Sequence, residues 1–223
     1  ANLYKCFLPL AWRLNSPMGV TGLLHPEGPY EDPDGGELRE AVYARLRAIF
    51  GFQNEFKLFP IGNRETFSIN IYGRLIHRPA FDMLSNLFVP STVDACYLHD
   101  GTGLPEGIKN DSSQWNTAGH RDRIVRVDEP ALATFAQLYD EPGAAARRAR
   151  LPKVHAGALN CVLSKLATYP RRLADVGEGY FPTQHWNEKT AQDDKTISRR
   201  PTTDPGFAAT PDDDPLGRFL DSI

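Results

Sequence analysis

The sequence has few cysteines, no long apolar run and no leader pattern. Its three cysteines, Cys6, Cys96 and Cys161, are too far apart for a disulfide framework or a Cys-Xaa-Xaa-Cys zinc knuckle. No apolar run approaches the ~20 residues that span a bilayer. The first twelve residues also lack the basic start and long apolar stretch of a secretory signal. We therefore expect a soluble protein of the reducing cytoplasm, with no membrane partner.

Neither sign of charge is in large excess, because the formal net charge is −3 over 223 residues. Residues 1–117 carry 10 Lys/Arg and 13 Asp/Glu, residues 118–200 carry 14 and 10, and residues 201–223 carry 1 and 5. The excess of four cations in the middle block weakly indicates a polyanion partner, although a solvated helical surface has the same composition. The last block is rich in Pro, Asp, Gly and Thr, which predicts a disordered acidic tail over 201–223.

The first 79 residues alternate between helical and strand patterns. Apolar spacing predicts a helix over 3–14, a strand over 19–24 that is buried on both sides, a helix over 37–50, and strands over 52–59 and 66–72. The buried face of the first helix is predicted to consist of Leu3, Phe7, Leu10, Ala11 and Leu14. This order of elements is typical of the second half of an α/β sheet.

The pattern changes beyond Gly73. Residues 80–200 are predicted to form a mainly helical, loop-rich and mildly basic region, with helices over 129–139 and 151–169. The chain opens without Met, in the middle of a helical pattern. The sequence therefore predicts a fragment or a domain of a longer polypeptide.

Several segments, taken in their order and spacing, resemble one protein family. They are Asn2-Leu-Tyr-Lys-Cys-Phe7, Gly19-Val-Thr-Gly-Leu-Leu-His-Pro-Glu-Gly28, Gly36-Glu-Leu-Arg39, Phe52-Gln-Asn-Glu-Phe-Lys-Leu-Phe-Pro60, Phe67-Ser-Ile-Asn-Ile-Tyr-Gly73 and the stretch from Tyr180 to Arg200. Together they resemble the part that follows the catalytic loop in large adenine-N6 DNA methyltransferases of bacterial restriction–modification and phage-defence systems. The resemblance covers about nine-tenths of the chain.

The resemblance implies a fold and a set of site residues. The fold is α/β, with residues 1–79 as the second half of a Rossmann-like methyltransferase sheet and residues 80–200 as a DNA-engaging region. A strand ending in a Pro-containing loop places His25, Pro26 and Glu27 in an active-site loop. A later strand pair carries an aromatic residue that stacks on the flipped-out adenine, and Phe59 matches that position best. An ordinary core aromatic at a strand end is an equally good interpretation of Phe59.

Two departures from the family bear on activity. The sequence has neither a Phe-Xaa-Gly-Xaa-Gly loop for S-adenosylmethionine nor an Asn-Pro-Pro-Tyr catalytic loop, and both lie upstream of the matched part in relatives. The chain alone is therefore predicted not to methylate anything. The resemblance implies an enzyme only for an intact S-adenosylmethionine-dependent protein, with double-stranded DNA as its partner and restriction or defence subunits as possible associates.

Other residues allow functional and structural interpretations. His25 and Glu27 form a candidate acid/base pair, although a loop that lines the site without doing chemistry is the more common case. His120, Arg121, Arg123 and Arg126 are candidate phosphate contacts if a strand carries the arginines on one face, and a solvated surface strand explains them equally well. No grouping of His, Cys, Asp and Glu matches a metal-ligand spacing, so no metal is predicted.

Three hypotheses follow. The preferred one is a fragment or domain of a site-specific DNA adenine-N6 methyltransferase. The second is a non-catalytic nucleic-acid-binding or assembly module that retains only the scaffold. The third is a degenerate gene remnant without a function.

Overall fold

A computed structural model describes residues 3–110, 112–179 and 187–196. The chain divides into two compact units, residues 1–170 and residues 171–223. The described part of the second unit contains a 3-10 segment at Leu173–Gly179 and a short helix, α7, at Glu188–Asp193. The predicted acidic tail, 201–223, lies outside the described residues.

The first unit is built on a mixed five-stranded sheet. Its strands are β1 at Thr21–His25, β2 at Leu46–Gln53, β3 at Thr66–Tyr72, β4 at Ala80–Leu87 and β5 at Val125–Asp128. The order across the sheet is β1-β3-β2-β4-β5. Strand β3 runs antiparallel to both β1 and β2, β4 runs parallel to β2, and β5 runs antiparallel to β4. Strands β1, β2 and β4 therefore share one direction, and the predicted α/β class is confirmed.

Six helices belong to the described part of this unit. They are α1 at Tyr4–Leu14, α2 at Gly28–Glu31, α3 at Gly36–Tyr43, α4 at Ser91–Leu98, α5 at Glu129–Tyr139 and α6 at Ala158–Thr168. None of the helices that the structure describes is long and apolar enough to cross a membrane.

The two faces of the sheet bury different side chains. Since successive strand residues point to opposite faces, Asn70 and Tyr72 of β3 lie on one face and Phe67 and Ile69 on the other. The first face packs against helices α1, α3 and α5 and holds the larger cluster, which includes Leu8, Val42, Tyr43, Ile49, Phe81, Leu132 and Phe135. The second face packs against α4 and holds the smaller cluster of Phe52, Phe67, Leu84, Leu87 and Cys96.

The predicted helix over 37–50 is wrong in its second half. Helix α3 ends at Tyr43, and β2 begins three residues later at Leu46. Leu46 and Ile49 fit a helical stripe, but a short apolar run fits a buried strand equally well. Pairing with both β3 and β4 decides in favour of the strand. The strand predicted over 52–59 is also too long. It ends at Gln53, because the chain leaves the sheet there.

The predicted burial of α1 and β1 is also wrong. Leu3, Phe7 and Leu14 are 72%, 55% and 78% exposed, while Leu8 is the residue of α1 that enters the core. Leu24, in the strand predicted to be buried on both sides, is 51% exposed. The physical reason is that Leu24 points to the second face of the sheet, whose buried cluster contains no residue of β1.

Strands β4 and β5 extend the sheet beyond residue 79. Residues 80–87 lie beside β2 in the interior of the sheet, and residues 125–128 form its second edge. The first compact unit continues to Pro170. The predicted boundary near residue 80 therefore falls inside one sheet.

Candidate functional site

Three parallel strands end at the same edge of the sheet. Strands β1, β2 and β4 end at His25, Gln53 and Leu87, and the antiparallel strand β3 begins there at Thr66. In open α/β sheets, ligands bind in a crevice outside the carboxyl ends of the strands. We call this side of the sheet the carboxyl edge.

A buried carboxylate and a lysine meet at this edge. Glu27 follows β1 and is 8% exposed. Its Oε2 atom lies 2.6 Å from Nζ of Lys153, and Oε1 of Glu31 lies 3.6 Å from the same nitrogen. Burial raises the pKa of Glu27, and the Lys153 ammonium opposes that shift. Burial alone would lower the pKa of Lys153, but the two carboxylates outweigh it and the net shift is upward.

Beside this ion pair lies a cleft of about 150 Å³. Its lining residues are Glu27, Gly51, Phe52, Gln53, Thr66, Asn86 and Lys153. Gly51 is required for the close approach of Glu27, because a Cβ atom at position 51 would lie 2.9 Å from Oε1 of that side chain. We call this pocket, with its polar groups Glu27, Gln53, Thr66, Asn86 and Lys153, the carboxyl-edge cleft.

A β-bulge places Asn86 in the cleft. Phe50 pairs with Leu84 and Phe52 with Leu87, so β4 has one extra residue between these pairs. Asn86 has a φ of 57°, in the left-handed region that non-glycine residues adopt infrequently. Bulges of this kind redirect side chains next to functional sites.

Arg123 holds the bulge in place. Its guanidinium donates to the carbonyl oxygens of Ser85 at 3.3 Å, Asn86 at 3.1 Å and Ala118 at 2.9 Å. The side chain is 1% exposed, and burial lowers its pKa. Arg123, a predicted phosphate contact, is therefore enclosed by backbone carbonyls and does not face solvent.

His25 belongs to a buried polar network. Its Nδ1 donates to the carbonyl of Pro26 at 2.8 Å, since a carbonyl oxygen can only accept. Burial lowers the pKa of His25, so the ring is neutral and Nε2 accepts from the Tyr72 hydroxyl at 3.0 Å. Tyr30 lies 3.4 Å from the Tyr72 oxygen and donates to Asn70 at 2.6 Å. His25 thus packs inside the first face, while Glu27 lines the cleft and Pro26 is exposed.

Phe59 lies in the loop between β2 and β3. Its ring is 38% exposed and meets Phe67 edge-on, with ring centroids 5.0 Å apart. The buried Asn54 side chain accepts from the Phe59 amide at 3.0 Å and donates to the carbonyls of Phe59 and Gly62. The Asn54 side chain therefore holds the backbone of the loop that carries Phe59, while Phe59 itself remains accessible.

The other predicted phosphate contacts do not share one strand face. Arg121 and Arg123 lie in a 3-10 turn, and Arg126 lies in β5. His120 is 8% exposed and donates from Nε2 to the Thr102 carbonyl at 3.2 Å. Arg126 pairs with Asp82 at 2.9 Å, while Arg121 is exposed and donates to the Tyr97 carbonyl.

Cations from 147 to 150 are also matched by carboxylates. Arg147 pairs with Glu129, Arg148 with Glu40 and Arg150 with Asp140. Within the described ranges, no group of three or more His, Cys, Asp or Glu side chains is arranged to hold a metal ion.

Sequence reasoning placed Glu27 in the site but missed four partners. Gln53, Thr66, Asn86 and Lys153 come from β2, β3, β4 and the segment before α6, so only the three-dimensional pairing unites them. Gly51 inside an apolar strand was an available signal, because glycine in a strand often marks a close approach.

We expect the substitution Arg123→Met to lower the free energy of unfolding by about 2–4 kcal/mol, because three buried carbonyls lose their donor. Arg123→Lys should not restore it, since an ammonium cannot reproduce the planar fork. Urea denaturation measures both. The control Arg126→Ala, at an exposed ion pair, should cost under about 1 kcal/mol. Similar small losses at both positions would contradict the structural role of Arg123.

We also expect Glu27 to make stability depend on pH. Its folded-state pKa is raised, so folding favours the protonated carboxyl group. The unfolding free energy of the wild type relative to Glu27→Gln should therefore fall as pH rises from about 4.5 through the raised pKa, and stay constant above it. Urea denaturation between pH 4 and 8 tests this. A difference that rises with pH would contradict the burial of this carboxylate.

No protein-family model matches the chain, and no curated protein matches it. Its function is therefore argued from the residues at the carboxyl edge.

Proposed function

We propose that the chain forms the base-binding half of a DNA adenine-N6 methyltransferase of a restriction–modification or phage-defence system. The observation that carries the proposal is the position of Phe59. Phe59 is 38% exposed and lies on the loop between β2 and β3, at the carboxyl edge of the sheet. That is where an aromatic residue of the resembled family would meet a flipped adenine.

The order of elements supports this assignment. Helix α1 precedes β1, and β1 ends at His25 before Pro26, as the resemblance implies. The later strand pair is β2 and β3, and Phe59 lies in its connection. Strands β1 and β2 are parallel, with β3 between them. We interpret this arrangement as the second half of a Rossmann-like sheet.

Base extrusion explains why an accessible, fixed ring is useful here. An enzyme that acts on a base must take it out of the duplex, and stacking on an aromatic ring offsets part of the lost base stacking. Phe67 supports the Phe59 ring edge-on, and Asn54 fixes the Phe59 backbone. The platform is therefore set before a base arrives, which lowers the cost of ordering it.

The edge of β1 indicates where the rest of such a sheet would pair. Four exposed apolar residues follow helical spacing along α1, namely Leu3, Phe7, Leu10 and Leu14, and we call them the α1 stripe. Leu24 is exposed on β1 itself. The opposite edge, β5, has only four residues and carries the Arg126–Asp82 ion pair, as protected edges do. We propose that a further strand pairs with β1 and packs beneath the α1 stripe.

The cofactor half is assigned to that further part. No Phe-Xaa-Gly-Xaa-Gly or Asn-Pro-Pro-Tyr segment occurs in this sequence, so its residues do not fit S-adenosylmethionine binding or the capture of the target amino group. The contribution of this chain is to position the extruded base. Methyl transfer itself requires residues outside the chain.

A non-catalytic module remains the second candidate, because the open β1 edge and the α1 stripe also suit assembly with another protein. Electrostatics gives less support to DNA binding by this chain alone. Arg123 is enclosed, and Arg126, Arg147, Arg148 and Arg150 are each paired with a carboxylate. The hydrogen-bonded interior around His25 argues against a degenerate remnant, since a satisfied buried network specifies one fold.

The test is methyl transfer by the full-length native polypeptide to the N6 atom of adenine in duplex DNA, with labelled S-adenosylmethionine. We expect Phe59→Ala to lower kcat/KM by about 5- to 150-fold, the usual value of one base–aromatic stack. Phe59→Tyr should retain activity. A mismatch opposite the target adenine should recover part of the loss, because an unpaired base is easier to extrude.

The control variant is Phe56→Ala. Phe56 is 48% exposed and lies three residues away, but its ring packs on Phe88. We expect it to stay within about threefold of the wild type. Unchanged activity in Phe59→Ala would refute the stacking role. DNA binding without any methyl transfer would refute the methyltransferase and favour the non-catalytic module.

A further inference from the structure

We propose that the carboxyl-edge cleft binds an amino-bearing, six-membered heterocycle, of which cytosine is the representative. The site is distinct from Phe59 and does not rest on the methyltransferase proposal. Its walls come from the ends of β1, β2 and β4, the start of β3 and Lys153.

The cleft and Phe59 occupy separate parts of the carboxyl edge. Thr66 lines the cleft, and its neighbour in β3, Phe67, packs against Phe59. Adjacent strand residues point to opposite faces. Phe59 is not among the residues that line the cleft, so a ring held between Glu27 and Lys153 makes other contacts than the Phe59 ring.

Size limits the occupant to one ring. A cavity of about 150 Å³ accommodates a single benzene-sized ring. An attached sugar would remain outside. A purine would have to leave part of its two-ring system in solvent.

Charge excludes a phosphate or another anion. Lys153 is the cation of the cleft, and it already contacts the carboxylates of Glu27 and Glu31 at 2.6 and 3.6 Å. The buried Glu27 balances the Lys153 charge, and Glu31 is 57% exposed and adds only a solvent-screened negative charge, so no net positive charge is left for an anion. Such a site attracts hydrogen-bond donors and repels anions.

Donor and acceptor groups match an amino-bearing base. A carboxylate can only accept, and it is the side chain that pairs with the exocyclic amino group of cytosine. Oε2 of Glu27 is buried against the Lys153 ammonium at 2.6 Å, so Oε1 is the oxygen through which the carboxylate would accept from a ligand. The carboxamides of Gln53 and Asn86 each offer a donor and an acceptor for the remaining ring atoms. An oxo group in place of the amino group would place a lone pair against the carboxylate, and the two acceptors would repel each other.

The walls are held in place before any ligand arrives. Arg123 fixes the bulge that carries Asn86, and Gly51 lets Glu27 lie against β2. Fixed walls discriminate better between similar ligands, because a wrong group leaves buried polar atoms unpaired.

The experiment is a titration of the full 223-residue chain at pH 8, followed by two-dimensional NMR, with cytidine, uridine and cytidine monophosphate. We expect saturable binding of cytidine, about tenfold weaker binding of uridine, and weaker binding of the monophosphate than of cytidine. A short oligo(dC) distinguishes the sources. If oligo(dC) binds more tightly per base than cytidine does, the site is assigned to a nucleic-acid strand. If oligo(dC) binds more weakly per base than cytidine, the site is assigned to a free nucleoside. Either result supports the site.

Two carboxylate variants provide the matched comparison. Glu27→Gln should weaken cytidine binding about tenfold, whereas Glu31→Gln, which removes the same charge outside the cleft, should stay within about threefold. Thermal unfolding verifies that each variant is folded. If Glu27→Gln does not fold, Thr66→Val is a second variant with which to test the cleft. Equal binding of cytidine and uridine, equal effects of the two carboxylate variants, or no binding would overturn the proposal.

Discussion

The insertion of β3 between β1 and β2 is the constraint on which the rest of the structure depends. Because β3 is antiparallel to both, β1 and β2 must run in the same direction and end at the same edge. The first residue of β3, Thr66, then lies at the carboxyl edge, and Phe67 follows it on the other face. Strand β3 thereby contributes Thr66 to the polar cleft and packs Phe67 against the ring of Phe59.

Two buried polar side chains hold the carboxyl edge in its shape. Asn54 clamps the loop that presents Phe59, and Arg123 fixes the bulge that presents Asn86. Both donate to backbone carbonyls, so they fix the positions of other residues. Buried donors of this kind are costly to remove, since the carbonyls that they satisfy would be left unpaired.

Much of the local structure could be predicted from the sequence. The strict alternation over 66–72 and the amphipathic pattern over 129–139 correspond to β3 and α5. The strand at 80–87 was missed, because Asp82, Ser85 and Asn86 interrupt its apolar pattern and its pairing with β2 is non-local. Arg123 was a candidate phosphate contact on the spacing of the arginines alone, and two of its three carbonyl partners, Ser85 and Asn86, lie 38 and 37 residues away, where no local pattern reveals them. Glu27 was found from its place after a strand, but the residues that join it depend on sheet order.

We propose that the sheet continues beyond β1 in the full-length protein, where a further strand pairs with the open edge of β1. Amide hydrogen exchange at β1 tests it most directly, on the 223-residue chain and on the full-length native polypeptide. In an edge strand, alternate amides point away from the only neighbour and exchange quickly. The account predicts that these outward amides of Thr21–His25 exchange quickly in the isolated chain and become strongly protected in the full-length protein. Fast exchange in both would contradict it, because β1 would then be the true edge of the sheet.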